Sequence, residues 1–216
     1  MSNSPGSRSA PRAVVVALLA AFATLAVSAQ QSELSQRVNA ISAFVVSDRY
    51  ARLADDLDDH ALVDSLFRVA IRLCDDDLDE ALLALTFATS QYRTPSITAL
   101  GVEIVYPIIS PPRETFVERN RRLPARLFPD SPDVGFGDRD KLAHFFGAAW
   151  LARQFILFDL TDYVGYFVEI LEVALGLQRE IDARDLKANR LGARFGERLA
   201  DEPTSLPSEL LRTWIP

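Results

Sequence analysis

The segments DKLAHFFG (residues 140–147) and DLKANRLGARFG (residues 185–196) decide the fold of the last third of this chain. They contain Lys141 and Lys187, the only two lysines among 23 Lys and Arg residues. Arginine holds the other cationic positions, and a lysine kept in each polar segment indicates that a compact ammonium is needed there.

Helical spacing places the polar residues of each segment on one face. Asp140, Lys141 and His144 lie within one helical turn of each other. Asp185 and Asn189 share a stripe with two glycines that follow on successive turns. Because glycines allow a neighbouring helix to approach closely, the stripe predicts that the aspartate and the asparagine face that neighbour.

Three helices are predicted here, over about 138–158, 161–177 and 182–199. The middle one carries Glu169 and Glu172 among apolar residues. All three can bring polar groups to one interior point, where buried charges must be paired or hydrogen-bonded.

This polar cluster has two interpretations. In the first it is a structural network, with Lys141 paired to Glu169 or Asp185 and Asn189 bridging. In the second it lines a pocket, where His144 is the acid/base and Lys141 neutralises an anion such as phosphate. The candidate catalytic residues are His144, Lys141 and Asp185, and the candidate binding residues are Asp140, Glu169, Glu172 and Asn189.

No sequence motif predicts a metal or a cofactor. The chain lacks HExxH and HxH spacings, and it has no GxSxG, P-loop or GxGxxG segment. Serine hydrolase and nucleotide-binding folds therefore have no support.

Apolar periodicity is helical nearly throughout, so we predict a mainly α protein. A helical N-terminal lobe (30–110) packs on the three-helix C-terminal lobe (138–216), and a proline-rich connector (111–137) joins them within a single domain (30–216). Two acidic clusters, at 55–59 and 76–80, each precede an apolar run and predict capped helices over about 60–74 and 79–92.

Two further segments are less regular. Residues 97–109 fit either a helix or a strand. Residues 113–123 predict a short, highly charged helix inside the connector.

Residues 1–29 resemble a secretory signal peptide. Arg8 and Arg12 precede an apolar run, and Val27-Ser28-Ala29 fits a cleavage site before Gln30. The alternative is an uncleaved membrane anchor. Cleavage predicts an exported protein of the periplasm or cell envelope.

The net charge of -7 argues against a nucleic-acid partner, since the chain has no basic stripe. The aromatic-rich segment 143–158 predicts a core helix, with peripheral membrane contact as the alternative.

The ordered blocks DKxxHF, a central glutamate and DxxxNxxGxxxG resemble the VanZ-like family and the small YfiM-like envelope lipoproteins. The resemblance covers about the last third of the chain and implies a cell-envelope location. Two features depart from it: VanZ-like proteins are integral to the membrane, and YfiM-like proteins carry a lipid anchor for which this chain has no cysteine at the cleavage site.

These observations predict a non-enzymatic binding or structural protein of the envelope, whose partner is an envelope lipid or an anionic small molecule. The alternative is a hydrolase or transferase that acts on an envelope lipid or phosphate, with His144 as acid/base.

Overall fold

The computed structural model describes residues 33–93, 96–99, 102–105, 109–133, 135–158 and 183–213. These residues form eight helices and one strand pair. The helices are α1 (33–46), α2 (Asp48–Asp56), α3 (Asp59–Leu73), α4 (Leu78–Thr89), α5 (Arg113–Arg122), α6 (Lys141–Phe158), α7 (Ala183–Asp201) and α8 (Pro207–Leu211). The mainly α prediction is confirmed. The predicted signal peptide and the predicted helix over 161–177, with Glu169 and Glu172, lie outside the described residues.

The acidic clusters cap helices, as predicted. Asp58 accepts a hydrogen bond from Ala61 N at the start of α3. Asp77 accepts from the amides of Asp79 and Glu80 at the start of α4. These carboxylates satisfy amide groups that have no partner within the helix, and they complement its dipole.

The strand alternative is correct for the apolar segment after α4. Strands β1 (Ser96–Ala99) and β2 (Val102–Val105) pair antiparallel, with Ser96 opposite Val105. Isoleucine and valine, which favour extended backbone, supply half of these eight positions.

Arg119 joins the connector to the N-terminal helices. Its side chain is fully buried and donates to the carbonyl oxygens of Phe87 (3.2 Å), Ala88 (2.5 Å) and Ser90 (2.5 Å), at the C-terminal end of α4. Desolvation lowers the pKa of Arg119 to about 10. The guanidinium remains charged at neutral pH, and the negative end of the α4 dipole stabilises it.

Helix α6 lies at the centre of the core and contacts both α4 and α7. Phe145 and Phe146 are fully buried and pack against Phe67 of α3 and Phe195 of α7, with ring centroids 5.3–6.4 Å apart across this cluster. The core-helix interpretation is therefore correct for the described side chains at the start of this segment.

Helices α6 and α7 run parallel in very close contact. Gly192 faces the backbone carbonyl of Phe145, and Gly196 faces that of Ala149. A Cβ at either glycine would lie under 3.0 Å from backbone atoms of α6. The small-residue stripe of α7 thus has the predicted role.

We expect Gly192→Ala to lower the free energy of unfolding by about 1–3 kcal/mol, because backbone atoms of α6 cannot move aside without separating the helices. This loss should exceed the gain of about 1 kcal/mol in helix propensity. Chemical denaturation monitored by circular dichroism measures the change.

The matched control is Gly135→Ala, because a Cβ at Gly135 meets nothing within 4 Å. Its effect should stay within about 0.5 kcal/mol. Equal stabilities for the two variants would contradict the close packing of α6 on α7.

Candidate functional site

Lys141 is the centre of the polar cluster. Its Nζ lies 2.6 Å from Asp185 Oδ1 and 2.8 Å from Asp140 Oδ2. The side chain is only 4% exposed. The contact with Asp185 is an ion pair without hydrogen-bond alignment, since Oδ1 of that residue accepts no well-directed hydrogen bond.

The position of this pair in the helices accounts for its charges. Lys141 is the first residue of α6, where the helix dipole disfavours a cation. Asp185 lies in the first turn of α7, where the dipole favours an anion. Because the two helices run parallel, their N-terminal ends meet, and the carboxylates offset the unfavourable location of the ammonium.

His144 lies one turn along α6 and faces the same carboxylate. Its Nε2 is 3.4 Å from Asp185 Oδ1. Burial lowers the pKa of His144; Asp185 opposes this effect, and Lys141 adds to it. The imidazole is therefore neutral at pH 7.

Asn189 completes the group from α7. Its side chain lies close enough to His144 to raise the pKa of the ring, against the larger effect of burial. Among the described residues, Asn189 Oδ1 and His144 Nδ1 are buried and form no hydrogen bond of good geometry. The cluster thus contains two buried atoms that can form hydrogen bonds but are not paired by its own members.

The structure brings together five of the seven predicted site residues. Lys141 and His144 lie against Asp185 and Asn189, so the predicted convergence of the two segments is confirmed. The other two, Glu169 and Glu172, lie outside the described residues. The full list of those brought together is Asp140, Lys141, His144, Asp185 and Asn189.

The second lysine belongs elsewhere. Lys187 Nζ lies 4.4 Å above the centre of the Phe128 ring and 3.9 Å from Asp130. It therefore holds the connector loop against α7, by a cation–π contact and a loose ion pair.

A second buried pair lies beside the cluster and was not among the predicted site residues. Asp138, which is fully buried, receives a hydrogen bond from Arg184 (2.8 Å) and another from Ser131 Oγ. The sequence signal was its position: Asp138 lies just before α6, and Arg184 directly precedes Asp185. A charged residue that precedes a buried charge on a helix is itself partly removed from solvent, so it needs a partner of opposite charge.

The cluster offers little free charge to a ligand. His144 and Asp185 are 13% and 11% exposed, and Asp140 is 27% exposed. Within the described residues, no three His, Cys, Asp or Glu side chains are placed to hold a metal ion. The ammonium of Lys141 occupies the position between two carboxylates that a cation would take.

The comparisons with known proteins give no relative: no family model, no curated protein and no solved structure matches this chain. Within the part of the chain that the structure describes, no helix is long and apolar enough to cross a membrane.

We expect Lys141 and Asp185 to be energetically coupled. Lys141→Met leaves a buried carboxylate without this cation and should cost on the order of 3–5 kcal/mol. In a double-mutant cycle with Asp185→Asn, measured by chemical denaturation, the coupling energy should be about 1–3 kcal/mol.

The control cycle uses Arg126→Met and Asp133→Asn. This ion pair is 2.8 Å long, close to the 2.6 Å of the buried pair, yet its side chains are 67% and 89% exposed. Its coupling should stay below about 1 kcal/mol, since solvent screens the charges. Strict additivity for the buried pair would show that it does not hold α6 to α7.

The lowered pKa of His144 predicts a pH-dependent stability. The folded state holds this proton less tightly than the unfolded state, whose histidine titrates near 6.5. Neutral His144 therefore contributes fully to the free energy of unfolding above that pH, and this contribution is lost as the pH falls below it.

Stability measured between about pH 8 and pH 5 should fall more steeply for the wild type than for His144→Gln. His60 is present in both proteins, so its titration cancels in the comparison. Parallel curves would contradict a depressed pKa at His144.

Proposed function

We propose that this is an exported bacterial cell-envelope protein that acts without catalysis, as a binding or structural protein, and that the buried cluster fixes α6 against α7. The observation that carries the proposal is the enclosure of Lys141. An ammonium 2.6 Å and 2.8 Å from two carboxylates already has its counter-ions.

This arrangement argues against phosphate recognition at the cluster. A phosphate would have to displace a carboxylate from the ammonium and then lie beside that same carboxylate, against like-charge repulsion. The described members of the cluster carry two negative charges and one positive charge while His144 is neutral. An anionic substrate is therefore disfavoured at this position.

One observation favours the alternative, a hydrolase or transferase with His144 as acid/base. The ring is neutral, and its Nδ1 is buried with no hydrogen-bond partner in the part of the chain that the structure describes. A neutral imidazole with a free nitrogen has the form of a general base. Its 13% exposure limits the contact that a substrate could make with it.

The case for export comes from the sequence. A basic start, an apolar run and a small-residue cleavage site before Gln30 are typical of signal peptides. The resemblance of the last third to envelope families points to the same compartment.

The proposal is tested by replacing the central ion pair with apolar residues. Buried ion pairs can often be exchanged for apolar side chains of similar volume at little cost in stability. The double variant Lys141→Met, Asp185→Leu should therefore stay folded. It should also complement a strain that lacks the gene, as should His144→Gln. A catalytic role predicts folded variants that fail to complement.

The exposed pair Arg126→Met, Asp133→Leu serves as the control for complementation. Mass spectrometry of the periplasmic fraction from the same strains should find a mature chain that begins at Gln30. A folded His144→Gln protein that does not complement, or a chain retained in the cytoplasm, would contradict the proposal.

A further inference from the structure

A surface groove on the far side of the core from the cluster has the features of a ligand site. It encloses about 410 Å³ between the end of α3, the start of α4 and the loop before α8. That volume lies within the range of about 300–1,000 Å³ that is usual for small-molecule sites.

The floor of the groove is apolar. Phe67 is 1% exposed, and Ile71, Leu78 and Leu206 are partly buried beside it. An alkyl or acyl chain placed on these side chains would lose its contact with water, which favours binding by roughly 25 cal/mol for each Å² of apolar surface removed from solvent.

The rim carries two opposite charges. Arg68 and Asp76 both line the groove and are both exposed. Among the described residues neither forms an ion pair, with the other or with a third residue. A cation and an anion that form no ion pair among the described residues, beside one apolar floor, complement a ligand that bears both charges.

Asp76 is held in place by the backbone. Asp75 and Asp76 have φ angles of 53° and 65°, and Asp76 N donates to Ile71 O at 3.0 Å. This turn ends α3 in the left-handed conformation that is common at helix C-termini. Thus the carboxylate is attached to a fixed turn at the edge of the groove.

We infer that this groove binds a zwitterionic amphiphile with one acyl chain, whose phosphate lies toward Arg68 and whose ammonium lies toward Asp76. The inference rests on the proposed function in one respect: a protein that acts by binding needs a ligand site, and the groove supplies that site. A purely anionic lipid would be attracted by the guanidinium of Arg68 but repelled by the carboxylate of Asp76.

The test is isothermal titration calorimetry of the full mature chain with lysophosphatidylethanolamine, below its critical micelle concentration. We expect saturable binding of one molecule. Lysophosphatidylglycerol, which has no ammonium, should bind about tenfold more weakly, and phosphoethanolamine without an acyl chain should give no measurable heat.

Arg68→Gln and Asp76→Asn should each weaken binding about tenfold. Asparagine suits position 76 because it tolerates the left-handed backbone. The matched controls are Arg72→Gln, on the same helix, and Asp55→Asn; both residues are exposed and line no part of the groove. Thr204→Trp, at an exposed rim position, should block binding.

Co-sedimentation with phosphatidylcholine vesicles that contain phosphatidylethanolamine distinguishes a membrane-resident source from a free monomer. Either source supports the groove if Arg68→Gln reduces the binding. The inference is overturned if the wild type does not bind, if both lysolipids bind equally, or if Arg72→Gln weakens binding as much as Arg68→Gln.

Failure here is separable from failure of the proposed function. The variant Lys141→Met, Asp185→Leu leaves the groove intact and should bind the lysolipid like the wild type. Loss of binding in that folded variant would indicate that the ligand binds at the cluster, and it would contradict the inference about the groove.

Discussion

The close contact between α6 and α7 is the constraint on which the rest of the site depends. Two glycines let the helices approach until backbone faces backbone, and the side chains of Lys141 and Asp185 between the helices are only 4% and 11% exposed. Charges placed there must satisfy each other. Asp140 and Asn189 then follow from helical spacing, because each lies beside one member of the pair.

Polar ties between helices recur across the fold. Asp79 of α4 accepts two hydrogen bonds from Arg153 of α6. Asp64 of α3 accepts hydrogen bonds from the backbone amide and the hydroxyl of Ser208 in α8. The chain has a single cysteine, Cys74, which is buried with a pKa raised to about 12. Disulfides within the chain are therefore impossible, and helix-to-helix carboxylates provide the specific cross-links that fix the packing.

The sequence predicted the cluster because helical periodicity is rigid: residues three and four apart must share a face, and glycine stripes must meet a neighbour. It could not show that Asp185 contacts Lys141, since that contact depends on how the helices are turned about their axes. It also treated both lysines alike, whereas Lys187 lies beside Phe128. The role of Arg119 could not be predicted because its partners across the fold are the backbone carbonyls of Phe87, Ala88 and Ser90, which leave no mark in the sequence.

The groove could not be predicted for a related reason. Its floor combines residues of α3, α4 and the loop before α8, and only the tertiary fold brings them together. The two polar features of the protein also differ in kind. The cluster places its charges in the interior, where the ammonium of Lys141 is paired with Asp140 and Asp185, and this pairing fixes α6 against α7. The groove leaves one cation and one anion exposed beside apolar side chains, and within the described part of the chain neither forms an ion pair. These features support the proposal of a ligand at the groove rather than at the cluster.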